Sequence, residues 1–170
     1  MNTDGIRASI ESAVAMLAAN PGKRRRTDSP ATAVLEGGLR CRARGPDGAE
    51  IVSDMPRGVG GEASAPRPGW YLRASLAGCD ATVIAMRAAQ LGINLDHLEV
   101  TVESESDGRG LLGMDDSVAA GPLAMRLKVR IAAAGVEPER LREIVHWAEA
   151  HSPVGDAIRR AIEVDMQIET

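Results

Sequence analysis

The reactive groups of this chain are few, and two of them are thiols, Cys41 and Cys79. A cysteine attacks as the thiolate, because the neutral thiol is a poor nucleophile. Cys79 lies in an alanine-rich stretch of helical spacing, with Ser75 four residues before it and Thr82 three after. On a helix both hydroxyls can reach its face. Cys41 is set between Arg40 and Arg42, with Arg44 next in the same alternation. On a strand the three arginines share one face and Cys41 takes the other. The plainer reading of either cysteine is a small buried hydrophobe. His97, His146 and His151 form no recognisable zinc spacing with the cysteines. No Gly-rich loop follows a strand and opens a helix as a phosphate cradle must. No metal, nucleotide or other cofactor is therefore expected.

The elements that position these groups follow from length and periodicity. A chain of 170 residues can bury a sizeable core as one domain. It is 44% apolar and 26% charged, the balance of a soluble globular protein. With no Phe, two Trp and one Tyr, the core must be built from Ala, Val, Leu, Ile and Met. A net charge of −4 gives no general attraction for nucleic acid or an anionic membrane. The expected partners are a small molecule and another copy of the chain. No segment carries the roughly 18 uninterrupted apolar residues that span a bilayer. The first residues include Asp4 and Glu11 and lack the basic start of a signal peptide. The expected setting is the reducing cytoplasm, where two cysteines are free thiols or a redox pair.

Ile6, Ile10, Val14 and Leu17 predict a helix ending near Asn20-Pro21-Gly22, and Lys23 to Pro30 has linker composition. Residues 1–30 are thus an N-terminal helix and basic linker, and residues 31–170 the main domain. From Ala31 the period becomes two, through Ala33, Leu35, Leu39, Cys41 and Ala43. Gly45-Pro46-Asp47-Gly48 is a turn, and Glu50-Ile51-Val52 starts a return strand. Residues from Met55 to Pro68 read as a loop. From about Trp70 to Leu91 the spacing predicts the longest helix, with Leu72, Leu76, Cys79 and Val83 on one stripe and Gly92 as its C-cap. Leu98–Glu103 and Met125–Ile131 alternate as strands joined by a long polar loop. Pro138 to Ala150 is an amphipathic helix, Ser152-Pro153 opens a short one, and Ile162–Ile168 alternates as a final strand. Strands arranged as hairpins between helices make the fold α+β.

Gly60-Gly61, Pro66-Arg67-Pro68 and the helix segment Leu72-Arg73-Ala74-Ser75-Leu76-Ala77-Gly78-Cys79, followed some seventy residues later by His151-Ser152-Pro153-Val154, resemble the motifs of the OsmC/Ohr family. That family comprises thiol-dependent hydroperoxide reductases. The resemblance covers roughly residues 31–170. It implies an intertwined homodimer, with antiparallel sheets packed around long central helices and the active sites at the subunit interface. It also implies a reaction in which a peroxidatic thiolate, here Cys79, attacks the O–O bond of an organic hydroperoxide. The product is an alcohol and a sulfenic acid, which a second cysteine resolves before a dithiol restores both thiols.

Cys79 lies more than two turns inside its helix, beyond the useful reach of the helix dipole. A side-chain cation must therefore favour the thiolate. The resemblance places an arginine of the N-terminal hairpin in that role, and of Arg40, Arg42 and Arg44 we select Arg40. Two departures alter the cycle. Ser152 stands where the family's second Cys precedes Pro-Val, and Gly69 follows Pro68 where many relatives carry the glutamate that pairs with the arginine. Glu62 is a substitute carboxylate. Cys41 is a substitute resolving thiol, but it faces away from the arginines. The expected function is reduction of organic hydroperoxides by one peroxidatic cysteine, resolved by an external thiol. The alternative is a catalytically silent relative that binds an apolar small molecule in the interface pocket.

Overall fold

The computed structural model describes residues 3–160 and 162–170. Its elements are α1 (Thr3–Ala19), β1 (Thr32–Gly37), β2 (Arg40–Arg44), β3 (Glu50–Ser53), α2 (Pro68–Gln90), β4 (His97–Glu105), α3 (Gly108–Leu111), β5 (Ala124–Ala132), α4 (Pro138–His151) and α5 (Pro153–Arg159). Helices between antiparallel hairpins give the expected α+β class. The chain divides into two compact units: one runs from Ser12 to Ala74, and the other takes the chain up to Glu11 and from Ser75 onward.

The first unit is built on the antiparallel sheet β1-β2-β3. The alternating run that begins at Ala31 is two strands rather than one. It breaks at Gly37-Gly38, where Gly38 has φ +52°, a left-handed conformation that costs glycine nothing. In register, Cys41 lies between Leu35 and Ser53 while Arg42 lies between Val34 and Val52, so Arg40, Arg42 and Arg44 do share a face. After β3 the chain folds around the carboxylate of Asp54, which is 2% exposed. It accepts hydrogen bonds from the backbone N–H of Met55 (2.7 Å), Glu62 (3.2 Å) and Ser64 (3.0 Å), and from the Ser64 hydroxyl (2.8 Å). The double glycine is required here. Gly60 has φ +92°, and a Cβ on Gly61 would stand 2.0 Å from the Met55 carbonyl oxygen. The Tyr71 hydroxyl donates to the Val52 carbonyl (2.6 Å), tying the start of α2 to β3.

The second unit has its core where α2 and α4 meet the hairpin β4-β5. Ile84, Leu141, Ile144 and Ala148 are buried, with Leu98, Val100, Val129 and Ile131 packed against them. Val100 pairs with Val129 and Leu98 with Ile131, so one face of the hairpin supplies the apolar layer. The other face carries cross-strand ion pairs such as Glu99–Arg130 (2.8 Å), which are exposed and contribute little. Arg87 of α2 lies 4.5 Å over the Trp147 ring, and His151 stacks on Trp147 at 3.9 Å. Gly92 terminates α2 with φ +70°, as its place after the helical pattern predicts. At the N-terminus the Thr3 hydroxyl donates to the Asn94 side chain.

Two expectations are corrected. The polar loop between β4 and β5 contains the short α3, whose N-cap Asp107 accepts from the Arg109 N–H. Residues 162–170 form no strand. Their period-two pattern leaves Val164 83%, Met166 78% and Ile168 78% exposed. A strand of this kind needs a free sheet edge to complete its backbone bonds, and no described residue pairs with it in this chain. No helix among the described residues is long and apolar enough to cross a membrane.

Candidate functional site

On α2 the buried stripe is Leu76, Asp80, Ile84 and Ala88, spaced four apart. Cys79 stands on its flank and is half-buried. The hydroxyls expected beside it do not serve it equally. Thr82 donates to the Gly78 carbonyl of its own helix (2.8 Å), and Ser75 is exposed. The hydroxyl that meets the sulfur comes from 73 residues away: Ser152 Oγ donates to Cys79 Sγ at 3.3 Å. Ser152 is fully buried. It is also the N-cap of α5, where its Oγ accepts from the Gly155 N–H at 3.1 Å. A hydroxyl has one hydrogen to give. With the Gly155 N–H occupying a lone pair, that hydrogen is directed to the sulfur.

Arg40 sits in a different set of contacts. Its Nε donates to Glu36 Oε2 at 3.1 Å, and one terminal nitrogen donates to the Ser64 hydroxyl at 2.7 Å. That hydroxyl in turn donates to Asp54, so the buried carboxylate holds Arg40 through one intermediate. Arg42 bonds both Glu36 and Glu50, and Arg44 bonds Glu50 at 3.1 Å. Arg42 is thus committed to two carboxylates, while Arg40 keeps a terminal nitrogen. The Arg42 guanidinium, with Arg40 in support, holds the Glu36 carboxyl below the usual carboxylate range against the opposing effect of burial. The carboxylate beside Arg40 is Glu36 rather than Glu62, which is exposed and gives Asp54 its backbone N–H. Cys41 is half-buried on the face opposite the arginines.

Sequence reasoning named Cys79, Arg40 and Ser152. It missed the Ser152–Cys79 bond, the Glu36–Arg40 pair and the burial of Asp80. The signals were present: Glu36 precedes Arg40 by four residues across the Gly37-Gly38 turn, and Asp80 stands four after Leu76 and four before Ile84. Among the described residues no three His, Cys, Asp or Glu gather where they could hold a metal ion.

Ser64's backbone and hydroxyl donors, followed by the N–H groups of Met55 and Glu62, hold the Asp54 carboxyl below its ordinary value. Its stabilising contribution is therefore present in full above about pH 3.9 and is lost as pH falls through the lower folded value. Asp54→Asn is expected to free the 54–64 loop at neutral pH, raising its proteolytic cleavage roughly tenfold. The wild-type loop should become comparably labile only in acid. Equal cleavage of the two proteins at pH 7 would count against this role.

The family model described as "OsmC-like protein" matches residues 61–167. No curated protein matches the chain. Among solved structures, the OsmC-like protein from Mycoplasma pneumoniae is 17% identical with a TM-score of 0.67, covering 79% of this chain and 89% of that one. The organic hydroperoxide resistance protein OsmC from Legionella pneumophila is 24% identical with a TM-score of 0.55, covering 80% and 92%. The organic hydroperoxide resistance protein OhrB of Bacillus subtilis is 19% identical with a TM-score of 0.52, covering 78% and 91%. At these identities the likeness is one of fold.

Proposed function

The chain belongs to the OsmC-like protein family, and from that premise we propose that it reduces organic hydroperoxides through Cys79 as its single peroxidatic thiol. Two of the similar structures are organic hydroperoxide resistance proteins. The observation that carries the reading is the bond from the buried Ser152 hydroxyl to the Cys79 sulfur. It supplies a donor to a thiolate at the position where relatives carry a second thiol.

The thiolate attacks the distal oxygen of R–O–O–H. The S–O bond forms as the O–O bond breaks, and the departing alkoxide takes up a proton to leave as ROH. Cys79 is now a sulfenic acid. An external thiol condenses with it, releasing water and leaving a mixed disulfide, and a second thiol exchanges to restore Cys79. Ser152 cannot enter this exchange, so the reductant must come from outside.

Arg40 is the proposed cation for Cys79, oriented by Glu36 and Ser64. The working form is proposed as a homodimer in the cytoplasm. The apolar alternation of residues 162–168, exposed in the single chain, supports pairing with a sheet edge of a second copy.

The test is a stoichiometric dose of cumene hydroperoxide to the reduced protein, with mass mapping, followed by turnover with added thiol. A sulfenate or mixed disulfide on Cys79 with sustained turnover is expected. No oxidation of Cys79 under these conditions would sink the proposal and leave the silent, ligand-binding relative. A Cys41–Cys79 bond would refute external resolution. Arg40→Gln is expected to slow Cys79 oxidation by about 10²-fold, within the range for loss of one activating group. Arg42→Gln, already spent on two carboxylates, should slow it only a few-fold. Stopped-flow oxidation rates separate the two, and equal losses would remove Arg40 from its assigned role.

A further inference from the structure

Among the described residues, one buried side-chain polar atom lacks a hydrogen-bond partner, Oδ1 of Asp80. The residue is 3% exposed. A carboxylate taken out of water without a partner is costly, and the chemistry of Cys79 makes no use of it. Asp80 lines a cavity of about 480 Å³, walled by Leu76 of α2, Met125 and Leu127 of β5, Val145 of α4 and Ile158 of α5. Cys79 is not among the wall residues. That volume falls within the roughly 300–1,000 Å³ of small-molecule pockets, which combine apolar walls with a few orienting polar groups.

The charges at the rim are already matched. Arg126 pairs with Glu103 at 3.5 Å, and Arg159 pairs with Glu149 at 3.5 Å while donating to the Glu149 carbonyl at 2.7 Å. His146, also at the rim, is exposed. Asp80 remains the uncompensated acid at the floor. We propose that this cavity is a ligand site separate from Cys79, taking an organic amine whose ammonium group docks on Asp80 and whose apolar body packs on Met125, Leu127 and Ile158. An ammonium group answers both features of Asp80: it supplies the missing donor and neutralises the charge in a place shielded from water. The site stands whether or not Cys79 is peroxidatic.

The experiment is titration calorimetry on the full chain in its own assembly, with phenylbutylamine and its uncharged analogue phenylbutanol as probes. The amine is expected to bind with Kd of about 0.1 mM, reasonable for a ligand of this size, and the alcohol at least about tenfold more weakly. Asp80→Asn should weaken the amine by at least about tenfold and leave the alcohol unchanged. Met125→Trp, which fills the cavity and keeps Asp80, should abolish binding of both and serves if the first variant fails to fold. Equal affinity for amine and alcohol, amine binding indifferent to both substitutions, or no binding at all because a partner subunit occupies the space, each overturns the proposal.

Discussion

Cys79→Ser is expected to abolish hydroperoxide turnover, by at least about 10³-fold, the scale on which enzymes lose activity with their nucleophile. A serine hydroxyl is far too weakly acidic to supply an anion at neutral pH, and oxygen lacks the reversible sulfenate chemistry that the second half of the cycle needs. The substitution is nearly isosteric at a half-buried position, and Ser152 can donate to an oxygen as it does to the sulfur, so the fold should survive. Circular dichroism and the melting temperature check that. Cys41→Ser is the matched control. Cys41 lies on the face of β2 opposite the arginines, and its loss should leave turnover within about two-fold, as expected of a residue outside the machinery. Residual activity in Cys79→Ser comparable to wild type would move the chemistry elsewhere.

Ser152→Cys is expected to change the class of the protein from one-thiol to two-thiol. Ser152 Oγ is 3.3 Å from Cys79 Sγ, while a disulfide holds its sulfurs at about 2.05 Å. The approach needed is a small rotation at two side chains. After one equivalent of peroxide the wild type should carry an added oxygen, or an added thiol if one is present. The variant should instead lose two hydrogens and show a 79–152 crosslink on mapping. The new thiol attacks the sulfenic sulfur and water leaves, so a dithiol should then outperform a monothiol as reductant. The change has a cost at the start of α5. Ser152 accepts from the Gly155 N–H, and cysteine is a poor N-cap, so the reduced variant should be about 1 kcal/mol less stable. Ser152→Ala pays the same cap penalty without gaining a thiol, which isolates the redox effect. Absence of the crosslink in a folded Ser152→Cys protein would show that the two positions do not meet in solution as they do here.

The elements that sequence patterning predicts best are those whose pattern is resolved by their own chain. The helix around Cys79 and the hairpin β4-β5 have their apolar faces covered by neighbours in the same unit, so period and partner agree. Residues 162–168 show the opposite case: the alternation is clear, but a strand is a relation between two segments and no described residue of this chain pairs with it. The break at Gly37-Gly38 escaped because alternation continues with the same parity on both sides of it. The site divides in the same way. Cys79 and Ser152 are legible through motifs, but the bond joining them spans 73 positions and no local periodicity encodes it. Asp80 was hidden by following the apolar residues of α2, since the stripe that is buried passes through an acid.

The packing of Arg87 and His151 on Trp147 makes the protein optically informative. With one tyrosine and a single other tryptophan, few chromophores compete with the Trp147 indole. Its emission depends on the guanidinium placed over its ring and on the imidazole stacked against it. His151 is covalently next to Ser152, the residue that touches the reactive sulfur. A change at Cys79 that shifts this end of α4 is thereby transmitted to a natural fluorophore, and the resting protein carries its own light-based reporter without a label.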